Sequence, residues 1–168
     1  MTGFPASMQQ PLLELLPKLR RFARSLTHHE ADADDVLQIA LERALARSEQ
    51  WQPDTRLDSW MYTIIRNAWI DEVRARKRRG AHLDVEEFSE VVSAGGENTA
   101  TELESVAAAM ARLPEEQRTA VSLVLIEGLS YKEAAVVMQV PMGTLTSRLA
   151  RGREALQKLL RPNLEASS

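Results

Sequence analysis

One stretch restricts what this chain can fold into more than any other: residues 128–160, GLSYKEAAVVMQVPMGTLTSRLARGREALQKLL. It predicts two helices joined by a tight turn. Gly128 can end a preceding helix, because glycine enters the left-handed conformation without a Cβ penalty. Ser130 followed by Glu133 is a capping box for the next helix. Ala134, Ala135, Val137 and Met138 are its apolar positions. Gln139-Val140-Pro141 stops it, since proline disfavours helical geometry in the residue before it. Pro141 suits the first turn of the helix that follows. That helix sorts its residues into two stripes. Leu145, Leu149, Gly152, Leu156 and Leu160 face a core, and Gly152 lets another helix approach closely. Thr144, Ser147, Arg148 and Arg151 lie together at i, i+3, i+4, i+7. Short hydroxyls and guanidinium groups bond phosphates and base edges, and arginine can bond guanine bidentately. Periodicity alone also allows an ordinary amphipathic helix with a solvated basic face. The capped helix, proline turn and hydroxyl/arginine face together favour a DNA-binding helix-turn-helix.

Composition narrows the rest. A net charge of −3 over 168 residues argues against a nucleic-acid binder if taken in bulk, so distribution decides. Basic residues crowd Arg74–Arg79 and Arg148–Arg161, and acidic ones crowd Glu30–Asp35 and Asp84–Glu104. The absence of cysteine excludes disulfides, thiolate metal sites and thiol chemistry. No apolar run approaches the roughly 18 residues of a membrane span, and no secretory signal is visible at the N-terminus. These features predict a cytoplasmic chain without a membrane partner. No strict period-two alternation occurs, so the expectation is an all-α fold.

Along the chain, residues 1–10 read as a loose tail. Leu12, Leu15, Leu16, Leu19, Phe22 and Leu26 predict a first helix over Pro11–Leu26, with Pro17 a kink or a later start. His28 and His29 beside Glu30 and Asp32 read as turn residues rather than a metal site. A second helix runs Glu30–Ser48, its aspartates at the positive end of the dipole. A loop with Trp51 and Pro53 leads to a third helix, Ser59–Arg79. Trp60, Met61, Ile64, Ile65 and Ala68 form its apolar face; Tyr62, Arg66, Trp69, Val73 and Lys77 form another. Aromatics interleaved with cations can stack on unpaired bases while holding phosphates. Packing of Tyr62 and Trp69 on a neighbouring helix is the other reading of that face. The run Arg74-Ala75-Arg76-Lys77-Arg78-Arg79 exceeds what a helix end needs and suits phosphate binding.

Residues 81–101 are acidic and carry Gly95-Gly96, which predicts a flexible linker with one short helical turn around Val85–Val92. The chain thus divides into a domain over 11–80 and a four-helix domain over 102–161, with a tail at 162–168. Helix resumes over Glu102–Ala111, and Pro114 opens the next helix. Ala120, Val121, Val124 and Leu125 are expected to pack that helix onto the helix-turn-helix. No paired catalytic carboxylates, Gly-rich phosphate loop or nucleophile motif is present, which argues against an enzyme. Nothing calls for a cofactor or a metal.

Three stretches in register resemble the small bacterial sigma factors of the extracytoplasmic-function group within the sigma-70 family. DADDVLQIALERA, Asp32–Ala44, is similar to that family's polymerase-binding helix; WMYTIIRNAWIDEVRARKRR, Trp60–Arg79, to its promoter −10 segment; and Leu113–Leu156 to its −35 reader. The resemblance implies a non-catalytic subunit that binds core RNA polymerase through the β′ clamp helices and the β flap. On the clamp side it implies Asp32, Asp35, Gln38 and Ile39. Ile39 stands where the family commonly has Glu, which moves the contact towards apolar packing. At the −10 element the resemblance implies Trp51 and Asn67 around a base flipped from the duplex, with Tyr62 preferred over Trp60 for strand contact. It assigns phosphates to Arg66, Arg74, Lys77 and Arg78. At the −35 element it implies Lys132, Thr144, Ser147, Arg148 and Arg151, with Thr146 where a basic residue is frequent. It further implies an anti-sigma factor as restraint, and a linker threading the polymerase cleft. Two alternatives stand beside it. A free-standing helix-turn-helix regulator leaves Trp51, Asn67 and the Tyr62/Arg66 face unexplained. A sigma mimic that sequesters an anti-sigma factor has no need of both basic patches.

Overall fold

The computed structural model describes residues 3–80 and 98–165. Residues 81–97 of the expected linker, with the helical turn expected there, lie outside them. Every regular element among the described residues is helical: α1 (Ala6–Thr27), α2 (Glu30–Ala46), a 3₁₀ turn (Ser48–Gln50), α3 (Leu57–Arg78), α4 (Asn98–Ala111), α5 (Glu115–Val121), a π-helical turn (Ser122–Ile126), α6 (Tyr131–Met138) and α7 (Met142–Glu165).

The first three helices pack pairwise. Leu19, Phe22, Leu26, Val36, Met61 and Ile65 are almost wholly enclosed at their centre. Ala33, Ala40 and Ala44 line the inner side of α2 with no exposed surface, so the neighbouring backbones come close. Helix α1 begins at Ala6, inside the stretch expected to be loose, because Met8 is fully buried and its amide bonds Pro5 O at 2.9 Å. One methionine among polar residues carries no period, so the sequence gives no sign of this turn. Pro11 and Pro17 both lie within the helix. Each removes one backbone donor, but both prolines, and Ser7 and Leu13 whose carbonyls lose a partner, sit on the exposed side.

The second half is punctuated as its sequence indicates. Gly128 adopts φ 74° and ends the π-helical turn. The capping box forms: Glu133 N donates to Ser130 Oγ at 3.1 Å, and Ser130 N to Glu133 Oε1 at 3.3 Å. Helix α6 ends through Gln139 at φ 58°, with Gln139 N and Val140 N bonding Val136 O and Ala135 O, both at 3.1 Å. Helix α7 starts at Met142, just past Pro141, and runs through Arg161 to Glu165, into the stretch read as a tail. Its Leu145, Leu149 and Gly152 are buried. A Cβ on Gly152 would lie 2.7 Å from Val121 Cγ2, so glycine is what lets α7 close on α5.

One apolar expectation fails. Leu125 is 46% exposed rather than packed. The π-helical turn, in which Glu127 N bonds Ser122 O at 2.9 Å, adds a residue to the helical repeat and rotates the following side chains. Leu125 and Ile126 turn outward and Glu127 turns in. The two halves meet along this edge, α1 against α5 and α3 against α6.

Candidate nucleic-acid interface

The polar stripe of α7 is formed as expected. Ser147 and Arg151 are exposed, Thr144 and Arg148 are partly covered, and the face opens onto a depression shared with Glu115 and Glu116 of α5. Arg148 Nη2 lies 3.0 Å from Glu116 Oε2. Its Nη1 is buried with no hydrogen-bond partner among the described residues. A guanidinium held by one exposed carboxylate is poised to exchange it for a phosphate or a base edge. Lys132 is exposed at the first turn of α6. Thr146 spends its hydroxyl on Met142 O at 2.8 Å, which leaves a short, locally satisfied side chain at that position.

Helix α3 divides differently from the expectation. Arg74, Lys77 and Arg78 are exposed in its last turns, a concentration of positive charge at the helix end. Arg66 and Asn67 are half-buried. Burial lowers the Arg66 pKa, the nearby Arg148 lowers it further, and Glu115 and Glu116 oppose both. Tyr62, expected on an accessible face, is fully buried. Its ring stands edge-on to Phe22 with centroids 5.0 Å apart, and its hydroxyl donates to Glu127 Oε2 at 2.9 Å. Burial first, then Glu127, drives the phenol pKa far up, so it stays protonated and donating. The physical reason is the company: a phenol buried against Phe22 needs an acceptor, and the π-helical turn delivers one. Trp60 is only partly buried. Trp69 packs within its own half, with Arg76 Cζ 5.5 Å from its ring centre. Trp51 follows the 3₁₀ turn, partly covered, its indole N–H enclosed without an acceptor among the described residues.

On α2, Asp35 and Gln38 are exposed and Ile39 is partly so. They border a shallow depression with Glu42, Glu72 and Arg76. Asp32 is engaged internally: Arg76 Nη2 donates to its Oδ1 at 2.7 Å, and Arg76 Nε donates to Glu72 at 3.1 Å. This pair ties α2 to α3 and fixes the rim on which Asp35 and Gln38 stand.

Arg21, Arg56, Arg118 and Glu127, which no motif of the sequence singles out, organise the junction. Arg21 grips Glu127 through two hydrogen bonds, 2.9 and 2.7 Å, across 106 residues of sequence. Arg56 bonds both Asp58 and Glu133. Arg118 donates to Met110 O, Leu113 O and Leu26 O at 3.1, 2.9 and 3.2 Å, capping the ends of α4 and α1 together. No short-range pattern marks the contacts that span the junction, because Glu127, Glu133 and Leu26 lie in other elements than the arginines that bind them.

The comparisons with known proteins fall on the same division. Family models for sigma-70 region 2 and sigma-70 region 4 match residues 12–79 and 103–156. The chain is 37% identical to an ECF RNA polymerase sigma factor, EcfG, of Rhodopseudomonas palustris, over 92% of this chain and 85% of that one. It is 36% identical to the RNA polymerase sigma-H factor of Pseudomonas aeruginosa, over 82% and 77% of the two chains. Among solved structures it is similar to the sigma factor RpoE of Bartonella quintana, crystallised with the anti-sigma factor NepR. The TM-score is 0.76 at 30% identity, covering 94% of this chain and 98% of that one.

Proposed function

The chain belongs to the sigma-70 family as an RNA polymerase sigma factor of the extracytoplasmic-function group, and from that premise we propose how its residues divide the work of promoter recognition. The first half, residues 11–80, docks on core polymerase and handles the −10 element. The second half, residues 102–161, reads the −35 element. The subunit makes and breaks no bonds. It supplies binding energy to two short stretches of DNA and acts in the cytoplasm, where polymerase and promoter are.

The observation that carries this reading is the separation of chemistries on the surface. The α2 rim is acidic and polar around Asp35 and Gln38, with Ile39 one turn beyond Asp35. That composition fits a basic protein groove such as the β′ clamp helices and repels DNA. The end of α3 is cationic through Arg74, Lys77 and Arg78, as phosphate contact requires. The α7 stripe presents hydroxyls and guanidinium groups in one row, the geometry of a helix laid in a major groove, with Lys132 a phosphate contact beside it. Asn67 and Trp51 hold the base that leaves the stack, a step costing a few kcal/mol that pocket contacts offset. Asp32 serves indirectly, by holding Arg76 and the rim in place. Arg66 is assigned to the −10 strand, and Tyr62, enclosed between Phe22 and Glu127, holds α3 in place beneath it. The similarity to a sigma factor crystallised with an anti-sigma factor supports a partner of that class here, which keeps the subunit from polymerase when it is not required.

Purified core polymerase supplemented with this chain starts transcripts from promoters that core alone ignores, read by sequencing of 5′ ends from genomic fragments. A start-site profile identical with and without the chain removes the proposal.

A further inference from the structure

Arg151 of the α7 stripe projects freely. Arg148, one turn away on the same stripe, does not. Its side chain is 21% exposed, and it meets the Glu116 carboxylate, 63% exposed, at 3.0 Å. The packing of α5 on α7 creates this pair. Gly152, one turn beyond Arg148, lets the first turn of α5 come close: a Cβ there would lie 3.3 Å from Gln117 O and 2.7 Å from Val121 Cγ2. Glu116, next to Gln117 in the chain, is thereby brought against the guanidinium. Nη2 is engaged by the carboxylate, and Nη1 is enclosed with no partner among the described residues. Thr144, Ser147 and Arg151 border the same depression.

A duplex offers Arg148 two fates. If the carboxylate lets go, the guanidinium pairs with any phosphate, which adds affinity and salt dependence but no sequence information. If the carboxylate stays, it fixes the plane of a side chain that already has a rigid fork of donors, so the free donors point one way. The surroundings favour the second. A half-enclosed side chain has little freedom to follow a phosphate backbone. An enclosed donor without an acceptor gains most from one that a ligand brings into the depression.

Glu116 carries a chemical requirement of its own. A carboxylate at a groove between two phosphate strands is repelled by both, and only a donor on the DNA offsets that. In the major groove cytosine N4 is such a donor, and it lies beside the O6 and N7 acceptors of the paired guanine. An arginine and a glutamate side by side offer donors and then an acceptor, the complement of that one base pair. An A·T pair sets its N6 donor and O4 acceptor in the opposite order.

We propose that Glu116 and Arg148 together read one G·C pair of the −35 element, Arg148 on the guanine and Glu116 on the cytosine amine. A residue of α5, outside the α7 stripe, thereby sets promoter selectivity. The inference rests on the promoter reading above and adds a specificity-determining residue to it. Glu116 lowers affinity for every duplex and lowers it least for the one whose cytosine amine it meets, so it acts by discrimination rather than by attraction.

The test uses reconstituted holoenzyme and a promoter that it opens, with each base pair of the −35 element replaced in turn. At one G·C position, replacement by A·T lowers wild-type affinity about tenfold. In Glu116→Ala the same replacement costs about threefold or less, while the penalties at the other positions persist. Arg148, released, then neutralises one more phosphate, so the slope of log affinity against log salt steepens by about 0.9. Arg148→Ala flattens the same position, and adding Glu116→Ala to it brings no further loss there, because the two act on one base pair. Glu116→Ala that keeps the wild-type penalty at every G·C position overturns the proposal. So does a loss of discrimination that Glu116→Ala produces equally with and without Arg148. A wild-type holoenzyme indifferent to every −35 replacement instead overturns the promoter reading beneath it, and the wild-type profile alone tells the two failures apart.

Discussion

The two halves solve the same problem, a helical surface for DNA, by different means. In the second half the reading face and the packing face of α7 are separate: Leu145, Leu149 and Gly152 go inward and Ser147 and Arg151 outward. In the first half they overlap on α3. Tyr62 belongs to the packed face, and Arg66 and Asn67, which we propose for the −10 element, sit half-covered beside it. A reader of duplex DNA needs only an exposed stripe. A site that accepts an extruded base needs an enclosed pocket, so its residues look like core when nothing is bound. The halves also differ in what holds them. Both halves bury large side chains between helices, but a capping box, a close-approach glycine and a π-helical turn shape only the second.

The largest expected effect comes from erasing that difference at its shared point. Arg118 closes the ends of α1 and α4 with three hydrogen bonds to carbonyls, one of them from the other half. Burial lowers its pKa and Glu115 opposes the shift. Arg118→Ala should cost about 3 kcal/mol, since charged hydrogen bonds are worth roughly 1.5–3 kcal/mol and the orphaned carbonyls stay buried. Thermal denaturation followed by circular dichroism should show both halves melting earlier. Loss confined to the second half would mean that Leu26 is not a working partner.

A smaller and more local effect sharpens the comparison. In Gly152→Ala the new Cβ meets Val121 Cγ2 at 2.7 Å and Gln117 O at 3.3 Å. Overpacking of this kind costs about 1–3 kcal/mol. Hydrogen exchange should quicken in α5 and α7 while amides of α1–α3 keep their protection. Equal loosening of both halves would show that they form one cooperative unit.

Legibility in the sequence divides between local and long-range contacts. Ser130, Glu133, Gly128 and Gly152 were legible because caps and close approaches depend on neighbours within a few residues or on the residue type itself. The exposed basic end of α3 was legible from charge density. The burial of Tyr62 was not, because period alone cannot say which of two partly apolar faces of a helix a third element will cover. Arg21, Arg118 and Glu127 act across elements, and the π-helical turn that aims Glu127 depends on packing rather than on a short pattern. The outward rotation of Leu125 has the same origin. Helix α1 extended beyond its apolar stripe because a single residue, Met8, found a place in the core.

We propose that one half opens the duplex while the other grips it upstream. Permanganate and nuclease footprinting of the holoenzyme on one promoter test it most directly, with Asn67→Ala and Arg148→Ala compared side by side. Asn67→Ala should keep the upstream footprint and lose reactive thymines around −10. Arg148→Ala should weaken the upstream footprint by about 1–3 kcal/mol of affinity and still open the strands once bound. The same defect in both variants, at the same step, would contradict it.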